Sequence, residues 1–138
     1  MIVLDTNVIS EMMRPKPEAI VAAWFAAQTA SALFTTALTQ AEIFYGLALL
    51  PTGKRRVALQ TAAKALFEED FAGRLLPFDS DAATHFADIA AARRSLGQPI
   101  SQTDAQIAAI ARSRAAAIAT RNQRDFADCG IALVDPWG

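Results

Sequence analysis

The sequence predicts an α/β fold: a three-layer α/β/α sandwich with helices on both faces of a central, mostly parallel sheet of four to five strands. Three observations carry that prediction. Short apolar runs rich in β-branched residues stop abruptly at polar residues, as strands buried on both faces do. Long Ala-rich segments lie between them, and Ala is the best intrinsic helix former. The two kinds of segment alternate, and a helical connection of a dozen or more residues joins strands in parallel.

The first strand is Ile2 to Leu4, which ends at Asp5-Thr6-Asn7. Further strands are predicted at Ala32 to Thr35, Arg74 to Phe78, Ala117 to Thr120 and Ala132 to Val134. Helices are predicted near 17–28, 39–50, 54–72, 80–96 and 102–115, with a shorter one starting near Asn7. Spacings such as Ile43, Leu47 and Leu50 have helical periodicity. Pro15 and Pro17, Pro51 with Gly53, Gly97 with Pro99, and Pro136 mark loops. No repeat or linker interrupts the pattern, so residues 1–138 are expected to form one domain around one core.

Composition narrows the function. Lys and Arg number 13 against 14 Asp and Glu. A near-neutral chain has no global attraction to nucleic acid or membrane, so polyanion binding must come from local patches. No apolar stretch approaches the ~18 residues of a membrane span, and the start lacks the basic region of a signal peptide. The single cysteine, Cys129, has no internal disulfide partner and fits a reducing cytoplasm, where the protein is expected to reside. Trp24, Phe25, Phe44, Tyr45 and Trp137 are expected in the core, or else on a dimer face. His85, the only histidine, is placed on a helix surface with no catalytic part.

Four acids stand out by position. Asp5 and Asp125 fall just past predicted strand ends, while Glu42 and Asp104 fall in predicted first turns of helices. Each alone has an ordinary explanation. Asp5 can cap a helix, and Asp125 can serve a turn. Thr39-Gln40-Ala41-Glu42 and Ser101-Gln102-Thr103-Asp104 both have capping-box form. Together they occupy the positions that an α/β sheet gathers at its carboxyl edge, where open sheets bind ligands.

Such a gathering needs a cation, because two carboxylates about 5 Å apart repel by roughly 3 kcal/mol at an effective dielectric near 20. Otherwise at least one must take up a proton. An all-oxygen set without His or Cys suits Mg²⁺ or Mn²⁺ better than Zn²⁺ or copper. Arg14, Lys16, Arg121 and Arg124 flank these motifs and are candidates to hold a phosphate backbone beside the acids. Lys54-Arg55-Arg56 opens a helix against its dipole, which a partner or RNA contact would offset.

With these residues in place, the chain resembles the PIN-domain nucleases, specifically the VapC and FitB-like toxins of bacterial toxin–antitoxin pairs. The resemblance rests on Val3-Leu4-Asp5-Thr6-Asn7-Val8-Ile9-Ser10-Glu11, on Thr39 to Glu42 followed by Tyr45-Gly46, on Thr103-Asp104-Ala105-Gln106-Ile107-Ala108-Ala109, and on Thr120-Arg121-Asn122-Gln123-Arg124-Asp125-Phe126. It implies a PIN-like sandwich and a metal-dependent endoribonuclease that cuts RNA and is silenced by a cognate antitoxin. It also implies homodimers, with pairing into a higher assembly left open, and contact with DNA only through the antitoxin. Carried over by residue, Asp5 and Asp104 are the direct ligands of Mg²⁺ or Mn²⁺, and Glu42 and Asp125 complete the catalytic set. Thr6, Asn7, Thr120 and Asn122 then fix the carboxylates by hydrogen bonds.

Two rival readings predict different chemistry. Receiver domains and haloacid-dehalogenase-type phosphatases also place an Asp after the first strand. The phosphatase pattern needs a second acid two residues on, where this chain has Asn7, and the receiver pattern needs a late Lys, whereas none follows Lys64. The other rival is a toxin-like subunit that acts mainly as a non-catalytic partner of a DNA-binding regulator.

Overall fold

A computed structural model describes all of residues 1–138. Five strands form one parallel sheet: β1 (Ile2–Leu4), β2 (Leu33–Thr36), β3 (Leu75–Leu76), β4 (Ala117–Ala119) and β5 (Leu133–Val134). Their spatial order is β3-β2-β1-β4-β5, so β1 is central and the chain leaves it for opposite sides of the sheet. Ile2 pairs with Leu33 on one side and Ala117 on the other. The Asp5 N–H continues the ladder onto the Ala119 carbonyl at 3.0 Å, which joins the carboxyl ends of β1 and β4.

Six helices connect the strands: α1 (Thr6–Met12), α2 (Ala19–Ala27), α3 (Ala37–Ala48), α4 (Lys54–Ala65), α5 (Ser80–Ser95) and α6 (Gln102–Ser113). The period-2 alternation of strand side chains divides them between the faces. Val3 and Ile118 pack with Ala82 and Ile89 of α5 and Ile107 and Ile110 of α6. Leu4 and Ala119, their immediate successors, pack on the other face with Val8 and Ile9 of α1, Ile43 of α3 and Ala63 of α4. Apolar material on both faces explains why the central strands read as continuous apolar runs.

Local boundaries follow from local chemistry. Leu66–Asp70 continues α4 as a π-turn, closed by the Phe71 N–H on the Leu66 carbonyl at 2.9 Å, and buries Phe67 and Phe71. The predicted strand over Arg74 to Phe78 contracts to Leu75–Leu76, because Pro77 has no N–H for the ladder. Asp79 caps α5 by accepting from the Ala82 N–H at 3.0 Å. Trp24, Phe25 and Trp137 pack against the α1–α4 side as expected, whereas Phe44 and Tyr45 are exposed, Tyr45 by 67%. His85 is half-buried in α5, and its Nδ1 has no protein partner. No helix is long and apolar enough to cross a membrane.

Candidate active site

Just outside the carboxyl ends of β1 and β4, where the strand order reverses, lies a cavity of about 430 Å³ whose wall includes Asp5, Glu42, Asp104 and Asp125. All four predicted acids therefore meet at one place, carried by four different elements. Thr6, Asn7 and Asn122 line the same cavity, and Thr120 lies buried beneath it.

Asp5 is the most constrained of them. It is only 6% exposed and does cap α1, with Oδ1 accepting from the Thr6 N–H at 2.8 Å. Its Oδ2 accepts from the Thr120 hydroxyl at 2.8 Å. Burial raises its pKa from 3.8 to about 6 against the pull of these two bonds, and the charges of Asp104 and Glu42 push in the same direction as burial. A cap alone does not need such a site. The carboxylate is kept out of water and faced with other carboxylates, which is costly unless a cation or a proton is present.

Thr120 is the hub of the supporting bonds. Its Oγ1 accepts from Asn7 Nδ2 at 3.2 Å and from the Asn122 N–H at 3.1 Å while donating to Asp5. Asn7 Oδ1 in turn accepts from the Arg121 N–H at 3.4 Å. Thr6, Asn7 and Thr120 thus reach the site through their side chains, whereas Asn122 does so through its main chain.

Glu42 differs from the sequence-based expectation. The expected capping box of Thr39 and Glu42 is not formed, because α3 starts directly at the end of β2 and its cap is Thr36, whose hydroxyl accepts from the Thr39 N–H at 3.1 Å. Glu42 therefore lies in the second turn, free of capping duty and exposed toward the cavity. Its Oε1 accepts from the Thr6 hydroxyl at 2.8 Å, and Thr6 lies 3.1 Å from the buried Thr39 hydroxyl.

The second box is half formed. Ser101 caps α6 by accepting from the Asp104 N–H at 3.1 Å, which leaves the Asp104 carboxylate for the cavity. Burial raises the Asp104 pKa, with the Ser101 hydrogen bond opposing, the charges of Asp125 and Glu42 adding, and the Arg93 cation opposing. Asp125 is exposed on a 3₁₀ turn, Gln123–Phe126.

Two charged residues of the site were not legible as such. Glu11, 7% exposed, lines the cavity, holds Arg14 through both carboxylate oxygens at 3.1 Å and accepts the Glu18 N–H at 3.1 Å. Its place one turn after buried Val8 was the available signal. Arg93, 5% exposed, donates from Nη1 to the carbonyls of Asp125 at 3.0 Å and Ala127 at 2.9 Å, and from Nε to that of Gln98 at 2.7 Å. It thereby anchors the turn that presents Asp125. Of the four flanking cations, only Arg121 lines the acidic cavity; Arg14 and Arg55 line an adjoining one that shares Thr6, Ser10 and Glu42.

No three acids converge into a ready-made closed metal cage. The donor chemistry still fits a hard cation, since Mg²⁺ keeps several waters and takes only one or two carboxylates.

The PIN domain family matches residues 2–131. The chain is 42% identical to "VapC ribonuclease Y4jK" of Sinorhizobium fredii over 137 residues, 99% of this chain and 98% of that protein. It is 38% identical to "Toxin FitB" of Neisseria gonorrhoeae, covering 99% of each. Among solved structures, a chain in the structure of FitAB bound to IR36 DNA fragment superposes with a TM-score of 0.93 at 38% identity, covering 100% of this chain and 96% of that one.

Proposed function

The chain belongs to the PIN-domain family, alongside the VapC and FitB toxins, and we propose that it is a Mg²⁺- or Mn²⁺-dependent endoribonuclease, the toxin of a toxin–antitoxin pair. The observation that carries this reading is the acidic cavity, lined by Asp5, Glu42, Asp104 and Asp125, in which burial and neighbouring carboxylates raise the cost of ionising Asp5 and Asp104. Asp5 and Asp104 are assigned to hold the cation. When bound, the ion supplies water of lowered pKa and offsets charge on the phosphoryl and leaving oxygens.

The protein's own groups do the rest. Thr120 and the Thr6 N–H fix both Asp5 oxygens, so the carboxylate presents a single orientation. Thr6 occupies one oxygen of Glu42 and leaves the other for a water that attacks phosphorus in line. Asp125, which lines the same cavity, would orient the same water or accept its proton.

A cognate antitoxin is assigned as the partner, by analogy with the FitAB complex on DNA, whose DNA contact on this reading belongs to the antitoxin. Phe44 and Tyr45 of α3, Leu49 just past its end and Val57 of α4 leave large apolar side chains in water, as surfaces for a second copy or a partner do.

The test is cleavage of single-stranded RNA by the purified chain, freed of partner, in Mn²⁺, Mg²⁺ or EDTA, alongside Asp104→Asn. Cleavage in metal, loss in EDTA and loss in the variant are expected. An inert, metal-indifferent protein would instead support the non-catalytic partner role.

A further inference from the structure

We propose that Arg121, braced on the ring of Trp137, binds the backbone phosphate next to the scissile one in single-stranded RNA. This rests on the reading of the acidic cavity as an RNA-cleaving site. Five acids line that cavity, Asp5, Glu11, Glu42, Asp104 and Asp125, against one cation, Arg121. Coulomb attraction would draw a lone guanidinium onto such acids, yet the only ion pairs in the protein are Arg14–Glu11 and Arg114–Asp79. Arg121 instead lies over the Trp137 ring, 5.1 Å from its centroid.

The energies make that arrangement reasonable. Arg121 is exposed, where water and salt weaken an ion pair to little net gain. A cation–π contact at an exposed site gains as much, enough to compete. Trp137 Nε1 is buried without a protein acceptor, so what the indole contributes here is its face rather than its N–H. The result is a guanidinium held in the wall with its donors uncommitted, a form suited to phosphate.

Its position is fixed relative to the proposed cation site. Arg121 directly follows Thr120, the residue bonded to Asp5, and its own N–H is tied to Asn7, which also bonds Thr120. One network therefore sets the spacing between Asp5 and the cation. The other candidates lack this placement, since Arg14 is paired with Glu11 and neither Lys16 nor Arg124 lines the cavity.

Arg121 is thus a substrate-binding residue and Trp137 its positioning residue. The experiment is steady-state cleavage of a labelled single-stranded RNA in Mn²⁺ across a series of salt concentrations, with wild type, Arg121→Gln, Trp137→Leu and Trp137→Phe. For Arg121→Gln, KM should rise about tenfold with kcat nearly unchanged, and the dependence of log KM on log salt should flatten by about one phosphate contact. Trp137→Leu should show the same signature, and Trp137→Phe should recover most of the affinity because it keeps a ring face. Wild-type KM and salt slope in Arg121→Gln, a surface variant that does not threaten the fold, would overturn the proposal while leaving the nuclease reading intact. A Phe variant as impaired as the Leu variant would overturn the brace. Wild-type protein that cleaves no RNA would overturn the underlying reading, and this proposal with it.

Discussion

Thr120 donates its hydroxyl to Asp5 Oδ2 at 2.8 Å, joining two residues 115 positions apart in the chain across the junction of β1 and β4. The bond serves the ionised carboxylate, so it opposes the rise in pKa that burial imposes. It also settles which way the carboxylate faces.

Replacing Thr120 by Val removes that donor and strands Asn7 Nδ2 and the Asn122 N–H, each of which uses the same oxygen. Mn²⁺ affinity should fall about 10–100-fold, the usual loss when a supporting hydrogen bond to a ligand is removed. Thr120→Ser, which keeps the hydroxyl, should retain most of it. Isothermal titration with Mn²⁺ reads the difference; equal affinity in wild type and Thr120→Val would remove Thr120 from the site.

The Asp5 pKa sets a pH dependence of stability in the metal-free protein. Asp5 titrates at about 6 when folded against 3.8 for the ordinary carboxyl, so between those values the folded state holds the extra proton. Stability therefore falls as pH rises through that window, by on the order of 3 kcal/mol for this one buried group. Below the window both states are protonated and the contribution is fully present. Asp5→Asn should remove the effect, so its melting temperature should exceed that of wild type at neutral pH and approach it near about pH 4. Mn²⁺ should raise the neutral-pH melting temperature of wild type and leave that of Asp5→Asn nearly unmoved. A variant less stable than wild type at neutral pH would contradict the assigned shift.

Glu42 tests the division of labour among the acids. Because Thr36 and not Thr39 caps α3, Glu42→Gln removes no capping interaction and should leave stability within about 0.5 kcal/mol. Cleavage should nevertheless drop about 10²-fold or more if Glu42 handles the attacking water. Thr6→Val should lose less, since the carboxylate remains and only its orientation is relaxed. Circular dichroism melts beside kinetics separate the two effects, and full activity in Glu42→Gln would exclude it from the chemistry.

How much of this was legible in sequence depends on how far apart the determinants lie. The β1 run ending at Asp5 was readable, because a strand buried on both faces leaves a continuous apolar signature and its end sends the next polar side chain to the sheet edge. The Ser101–Asp104 start of α6 was readable because a cap and the N–H that donates to it are three residues apart. The Thr39–Glu42 spacing has the same form and misleads, since β2 passes into α3 without a loop and the true cap lies at the strand's last residue. Charged residues within helices look solvated in a one-dimensional pattern. What buries Arg93 is a set of carbonyls from a turn more than 30 positions away, and no local period encodes that.

Loss of Arg93 should act on the Asp125 carboxylate through the Asp125 main chain, whose carbonyl the guanidinium holds at 3.0 Å. The guanidinium is 5% exposed and pairs with no carboxylate; its donors go to main-chain oxygens of Gln98, Asp125 and Ala127 and weakly to Cys129 Sγ at 3.8 Å. Arg93→Met keeps the volume of the stem but leaves those carbonyls without partners, at about 1–3 kcal/mol for each that stays buried. A total loss of about 2–4 kcal/mol is expected after the turn relaxes toward water. Cleavage measured well below the melting temperature should fall nearly as far as in Asp125→Asn, since the turn that presents Asp125 is no longer held. Arg93 also lowers the Asp104 pKa through its charge, so the variant's activity should require a higher pH than that of wild type. Arg93→Lys separates the two contributions: it keeps the charge, and with it the pH profile, while a single ammonium cannot span carbonyls on both sides. Lys restoring stability in full would show that the charge, and not the forked geometry, holds the turn.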